Sequence, residues 1–135
     1  MRELRTSNDD IVKPYSYEFT EAEYHPDKRP WEVKCDIAIP CATQNELNAE
    51  NAQNLVSNGC MCVCEAANMP CTREAVEIIQ KKRIMFAPGK AANAGGVATS
   101  GLEMSQNAMK FNWTKEEVDM RLNQIMKNIH ASCLK

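Results

Sequence analysis

The stretch CDIAIPCATQNELNAENAQNLVSNGCMCVC, residues 35–64, decides the fold. It opens on CDIAI (35–39), a short apolar run closed by Pro40, which is the pattern of a strand. It ends on CMCVC (60–64), a second run that is apolar on both faces. Between them, Thr43 stands three residues before Glu46, a capping-box spacing in which the Thr side chain takes an early helix amide and the Glu reaches back. A helix is therefore predicted from about Gln44 to Ser57, with Leu47 and Leu55 facing the core. Asn58-Gly59 ends it, because both residues tolerate positive φ. Strand, helix, strand is the repeating unit of an α/β sheet.

The pattern continues toward the C-terminus. Pro70 and Thr72 open a helix that runs to about Lys82, with Val76 and Ile79 inward. IMF (84–86) is a third short strand. FAPGKAANAGG (86–96) reads as a Gly-rich turn before another helix, in which Val97, Gly101, Met104, Ala108 and Phe111 keep helical spacing. Thr114 and Glu117 form a second capping box, and Val118, Leu122, Ile125 and Ile129 mark a last helix. Toward the N-terminus the pattern fades. A short helix is predicted over about Tyr15–Phe19, with Pro14 in its first turn, and Glu21–Lys34 reads as a loop or edge segment. Residues 1–34 are thus a poorly patterned lead-in to the same domain, and 35–135 carry the regular α/β part. Strands apolar on both faces imply a parallel sheet with helices on each side.

Composition excludes several functions. Lys and Arg total 16 and Asp and Glu 18 among 135 residues, for a formal net charge of -2, so there is no basic excess to hold a nucleic-acid backbone. No apolar run approaches the roughly 18 residues of a membrane span. MRELRTSNDD lacks the apolar core of a signal peptide. Seven cysteines, an odd number, leave at least one thiol unpaired, and a reducing cytoplasm is the expected setting. Cys60, Cys62 and Cys64 alternate with Met61 and Val63 and would share one face of a strand. Their spacing is not CxxC, and neither His25 nor His130 is near in sequence, so core packing is the expected role. A thiol-based metal or redox protein built on that triplet is the alternative.

In open parallel sheets, ligands bind beyond the carboxyl ends of the strands. Three loops lie there: Pro40 to Thr43, Glu65 to Pro70 and Ala87 to Gly96. Their motifs, PCATQNEL (40–47), EAANMP (65–70) and APGKAANAGGVATSGLEMSQN (87–107), resemble the second half of the coenzyme domain of hexameric glutamate dehydrogenases. The resemblance covers about residues 35–133 closely and the lead-in loosely. It implies a partial Rossmann-like parallel sheet with flanking helices, ending in two helices. It also implies reversible oxidative deamination of L-glutamate to 2-oxoglutarate and ammonium, with NAD or NADP as hydride acceptor, in a homo-hexamer.

Residue by residue, the resemblance places Ser100 on the distal carboxylate of glutamate and Val97 on the wall of the substrate pocket. Ala42 and Thr43 would lie against the nicotinamide ribose. Asn68 would contact the nicotinamide half of the coenzyme, and Asn93 its carboxamide, which an Asn side chain matches in donors and acceptors. Gly95 and Gly96 would let the backbone approach a ligand closely. Ser100 near a helix N-terminus would sit in a field that favours a carboxylate. No residue of this chain is expected to be catalytic, and none to bind metal. Ala66 stands where the family usually has Gly, which matters if that site needs positive φ. Lys90 lies outside any GxxxxGK[ST] frame.

No GxGxxG occurs in the sequence, so the pyrophosphate turn and the residue that reads the ribose 2′ position are not within it. The family's catalytic lysine and aspartate belong to a domain that this sequence does not include. An internal segment of a dehydrogenase, inactive in isolation, is the expectation. A non-catalytic interaction module on the same half-domain is the other reading.

Overall fold

The computed structural model describes residues 12–134. They fall into two compact units, one ending at Pro30 and the other beginning at Trp31. In the first, α1 (Tyr15–Glu18) is a single exposed turn that starts after Pro14, and the Tyr15 and Phe19 rings stack with centroids 4.3 Å apart. The predicted helix is there, with Phe19 already extended beyond its end. The rest of the lead-in forms no strand among the described residues. Its one further element is a 3-10 turn, Pro30–Glu32.

The second unit is built on a three-stranded parallel sheet in the order β1 (Ile37–Ala38), β2 (Cys62–Cys64), β3 (Met85–Ala87). Ala38, Val63 and Phe86 lie in one register row, and Ile37, Cys62 and Met85 in the next. Side chains alternate across a strand, so the two rows face opposite sides. The first row joins the core: Ala38 and Val63 are buried with Leu47, Ala52, Leu55, Ala75 and Ile79. In the second row, Ile37 and Met85 remain largely exposed.

Two helices close the buried face, α2 (Ala49–Ser57) and α3 (Arg73–Lys81). Leu55 from α2 and Ile79 from α3 are fully enclosed between them and the sheet. Each such side chain contributes roughly 1.5–3 kcal/mol by leaving water. Beyond β3 come a short helix α4 (Gly89–Ala92), a long helix α5 (Ala94–Met109) and a final helix α6 (Lys115–Cys133). The opposite side of the sheet and α6 border an apolar groove of about 690 Å³, lined by Cys62, Cys64, Met85, Ala92, Met126 and Ile129 among others. The expected second helical cover is thus only partial within this chain.

Caps explain where the helices begin. Thr72 accepts from the Ala75 amide at the start of α3. Thr114 and Glu117 form the reciprocal box of α6, with bonds of 3.2 and 2.7 Å. The box predicted at Thr43 and Glu46 is not formed. The helix starts five residues later, where Asn48 and Asn51 cap each other reciprocally. Leu47 accounts for the shift: it makes a parallel bridge with Cys71 and so stays extended. Leu47 nevertheless enters the core as expected and is fully buried. Asn58 and Gly59 (φ 80°) end α2 as predicted.

The Gly-rich turn also reads differently in three dimensions. Gly95 and Gly96 are the second and third residues of α5, inside the helix. Helix α5 ends at Lys110, which takes the left-handed conformation (φ 54°), so Phe111 lies outside the helix whose spacing it keeps.

Candidate functional site

The three loops at the carboxyl ends of the strands are joined into one rim. The Asn45 amide donates to Met69 O at 3.0 Å and the Leu47 amide to Pro70 O at 3.0 Å. The Thr72 amide returns to Leu47 O at 2.9 Å, and the Ala66 amide donates to Pro40 O at 3.0 Å. The first and second loops are therefore one paired surface. Asn45 (φ 55°) and Met69 (φ 51°) adopt the left-handed region to make that pairing. Met69 does so directly before Pro70, where the backbone is already restricted.

The third loop is tied in by Glu65. This side chain follows β2 directly and is only 8% exposed. One carboxylate oxygen accepts from the Gly89 amide at 2.7 Å, and the other from the Cys71 amide at 3.3 Å. Its own amide donates to Ala87 O at 2.9 Å. A buried carboxylate is costly unless it is hydrogen-bonded, and these amides supply the bonds. Burial, followed by the neighbouring Glu65 and Glu46 carboxylates, pushes the Cys71 thiol up to about 12, so it stays protonated at neutral pH.

Glu65 and Gly89 were not singled out by sequence. The available signal was a carboxylate directly after an apolar strand, at the loop end where ligands bind. Gly89 is the glycine of close approach. A Cβ there would stand 3.0 Å from Ala67 O and 3.3 Å from Glu65 Oε2. Outside its own helix turn, a Cβ at Gly96 would meet no described atom within 4 Å, and one at Gly95 would meet Met126 Sδ at 3.9 Å.

The sequence-predicted residues distribute over this rim. Ala42 and Thr43 are exposed in the first loop, where the Ala42 amide donates to Glu46 Oε1 at 2.8 Å. Glu46 thus closes its own loop rather than a helix. Asn68 is exposed in the second loop. Asn93 sits between α4 and α5, half-buried, and its Nδ2 donates to Ala67 O at 2.9 Å. That bond brings Asn93 to the loop that carries Asn68. It leaves the Asn93 carboxamide one N–H and its oxygen for a further partner. Val97 and Ser100 lie farther along α5, both exposed, and Val97 is 74% accessible. Asn93, Val97 and Ser100 are four and three residues apart, so they share one helix face. Ala66 does not have positive φ, so alanine there carries no left-handed strain.

The cysteine triplet divides between surroundings. Cys60 is buried, while Cys62 and Cys64 are half-buried, and all seven cysteines carry free thiols. Among the described residues, no group of three or more His, Cys, Asp or Glu side chains is arranged to hold a metal ion. No helix among them is long and apolar enough to cross a membrane.

Comparison with known proteins matches residues 1–135 to the family described as Glutamate/Leucine/Phenylalanine/Valine dehydrogenase. The chain belongs to this dehydrogenase family. It is 59% identical over 135 residues to the NAD-specific glutamate dehydrogenase of Bacteroides fragilis, covering 100% of this chain and 30% of that protein. It is 52% identical over 132 residues to the NADP-specific glutamate dehydrogenase of Escherichia coli, covering 98% of this chain and 29% of that protein. The glutamate dehydrogenase structure from Plasmodium falciparum superposes with a TM-score of 0.88 at 47% identity, over 93% of this chain and 27% of that one. A hetero-hexameric glutamate dehydrogenase from Thermus thermophilus, in a Leu-bound form, gives 0.70 at 25% identity over 86% of this chain and 28% of that one. The chain therefore spans about 30% of the length of the curated dehydrogenases it matches. The rim built by Glu65 and Asn93 lies beyond the strand ends, the ordinary ligand position in open parallel sheets.

Proposed function

We propose that this segment is the second half of the coenzyme domain of a glutamate dehydrogenase. The whole enzyme would convert L-glutamate to 2-oxoglutarate and ammonium, reversibly, with NAD or NADP as hydride acceptor. The observation that carries the reading is the rim: the three motif loops are hydrogen-bonded into one surface at the carboxyl edge of a parallel sheet. Both coenzymes remain in the proposal, because the residues that read the ribose 2′ position follow a GxGxxG that this sequence does not contain.

The residues present fit a nicotinamide coenzyme. Asn93 is held by Ala67 with a carboxamide oxygen and an N–H to spare, which suits an amide partner. Ala42 and Thr43 offer an exposed loop edge to the ribose, and Asn68 is exposed in the second loop of the same rim. The bound coenzyme would accept the hydride; this chain would orient it. Val97 and Ser100 would meet the substrate, Val97 lining the pocket and Ser100 donating its hydroxyl to the distal carboxylate. The same reading makes the whole protein a homo-hexamer. The seven free thiols fit a reducing compartment such as the cytoplasm.

Replacing Ser100 tests the assignment in the full-length enzyme. Ser100→Ala removes one bond to a charged group and should weaken glutamate binding by about 1–3 kcal/mol. Steady-state kinetics should show a higher KM for glutamate, and an unchanged KM would count against the role. The 135-residue chain by itself should give no glutamate-dependent NAD(P)H, since it offers no general base for the reaction. Turnover by the purified chain would overturn that part of the proposal.

A further inference from the structure

Cys35 lies just before β1, and Cys60 just before β2. In the sheet, Ile37 pairs with Cys62 and Ala38 with Val63. Cys35 and Cys60 each stand two residues before the first of these pairs. The two segments stay together just before the strands: the Met61 amide donates to Asp36 O at 2.9 Å, and the Cys62 amide to the same oxygen at 3.3 Å. Cys60 Sγ lies 3.6 Å from Asp36 O and 3.3 Å from Cys62 O. The Cys35 and Cys60 side chains stand close enough to interact. Neighbouring strands run roughly 4.7–4.9 Å apart. A disulfide needs Cα atoms about 4.4–6.8 Å apart, with both Cβ vectors on one side. Facing residues on neighbouring strands fall inside that Cα separation, and closing the bond draws the two Cβ atoms to about 3.5–4.5 Å.

We propose that Cys35 and Cys60 are an oxidative modification site that closes into an intramolecular disulfide under peroxide. Cys35 is the half-exposed partner and Cys60 the buried one, so the oxidant meets Cys35 first. In the first step, the Cys35 sulfur attacks one peroxide oxygen, the O–O bond breaks, and Cys35 becomes a sulfenic acid with release of water. In the second, Cys60 sulfur attacks the Cys35 sulfur, the S–O bond breaks, and the hydroxyl leaves with the Cys60 proton as a second water. Two thiols and one hydrogen peroxide thus give one disulfide and two waters. Burial, then the neighbouring Cys60, raises the Cys35 thiol above its ordinary range, so the pair rests as thiols and reacts slowly.

The rest of the chain favours this pairing. Cys60 and Cys62 are two residues apart on one extended segment, about 6.6 Å, at the far limit of bridging geometry. Cys41 and Cys133 are exposed and open to intermolecular exchange. The new bond would cross-link the entries to β1 and β2, at the end of the sheet opposite Glu65 and the rim.

The test treats the full-length protein with hydrogen peroxide, blocks remaining thiols by alkylation, and maps peptides by mass without reductant. The expected product is a peptide pair linked through Cys35 and Cys60, lighter by two hydrogens, released by dithiothreitol and absent from Cys35→Ser. A different partner for Cys35 would overturn the proposal. So would Cys35 accumulating as sulfinic acid while Cys60 stays alkylatable, or both thiols remaining fully alkylatable after prolonged exposure. If Cys35→Ser fails to fold, the linked peptide in the unsubstituted protein still decides.

Discussion

Helices α2 and α3 and helices α5 and α6 belong to the same unit, yet they treat their apolar residues in opposite ways. Ala52, Leu55, Ala75 and Ile79 are fully buried between the first pair and the sheet. Val97, Met104 and Met120 of the second pair, with Phe111 between those helices, are each more than half exposed. Both pairs are amphipathic in sequence. The difference is that α2 and α3 find their cover inside this chain, whereas α5 and α6 do not find it here. The exposed face of α5 includes Val97 and Ser100, the proposed substrate residues. The first region is a scaffold, and the second leaves its apolar side chains open.

Substitutions can break or sharpen that contrast. The largest effect belongs to the scaffold. Leu55→Ala should cost about 2–5 kcal/mol in denaturant unfolding, from lost burial and a cavity. Val97→Ala, at an exposed site, should stay within about 0.5 kcal/mol in the same measurement. Equal losses would show that α5 is packed in solution and would erase the contrast.

Glu65 joins the scaffold to the site, and its replacement gives a smaller effect. Glu65→Gln keeps the shape but can no longer accept from both the Gly89 and Cys71 amides. It should cost about 1–3 kcal/mol of stability. In the full-length enzyme it should raise KM for the coenzyme more than it lowers kcat, since it positions loops rather than touching substrate. A loss of kcat with unchanged KM would remove it from that role.

The smallest effect separates two threonines of identical motif. Thr114→Ala removes a working helix cap and should cost about 1 kcal/mol in thermal unfolding. Thr43→Ala should cost much less, because Thr43 caps nothing. Its effect should appear in coenzyme affinity, measured on the full-length enzyme.

These two threonines also show how far the sequence could be read. The three strands, their parallel sheet, Leu47 and Leu55 in the core, the helix start at Thr72 and the capping box at Thr114 were all legible, because each rests on local spacing or periodicity. Thr43-Glu46 has the same spacing as Thr114-Glu117 and the opposite outcome. A bridge from Leu47 to Cys71, 24 residues later in the chain, holds the first motif extended. Asn48 then supplies the cap. The candidate site was legible as three motifs, but what links them was not. Glu65 carries no mark in the sequence, because a carboxylate after a strand has no distinctive spacing. Its partners, Gly89 and Cys71, lie on either side of α3.

The sequence by itself determined that the chain is α/β, where most of its elements fall, and which loops stand at the ligand end of the sheet. Hydrophobic periodicity and cap chemistry act over a few residues, so they are written locally. Only the tertiary structure decided where α2 begins, which glycine is pressed against a neighbour, and which apolar face stays open. Those outcomes depend on groups that meet across the sheet, and a buried carboxylate or an extended leucine is settled by the partners it finds there.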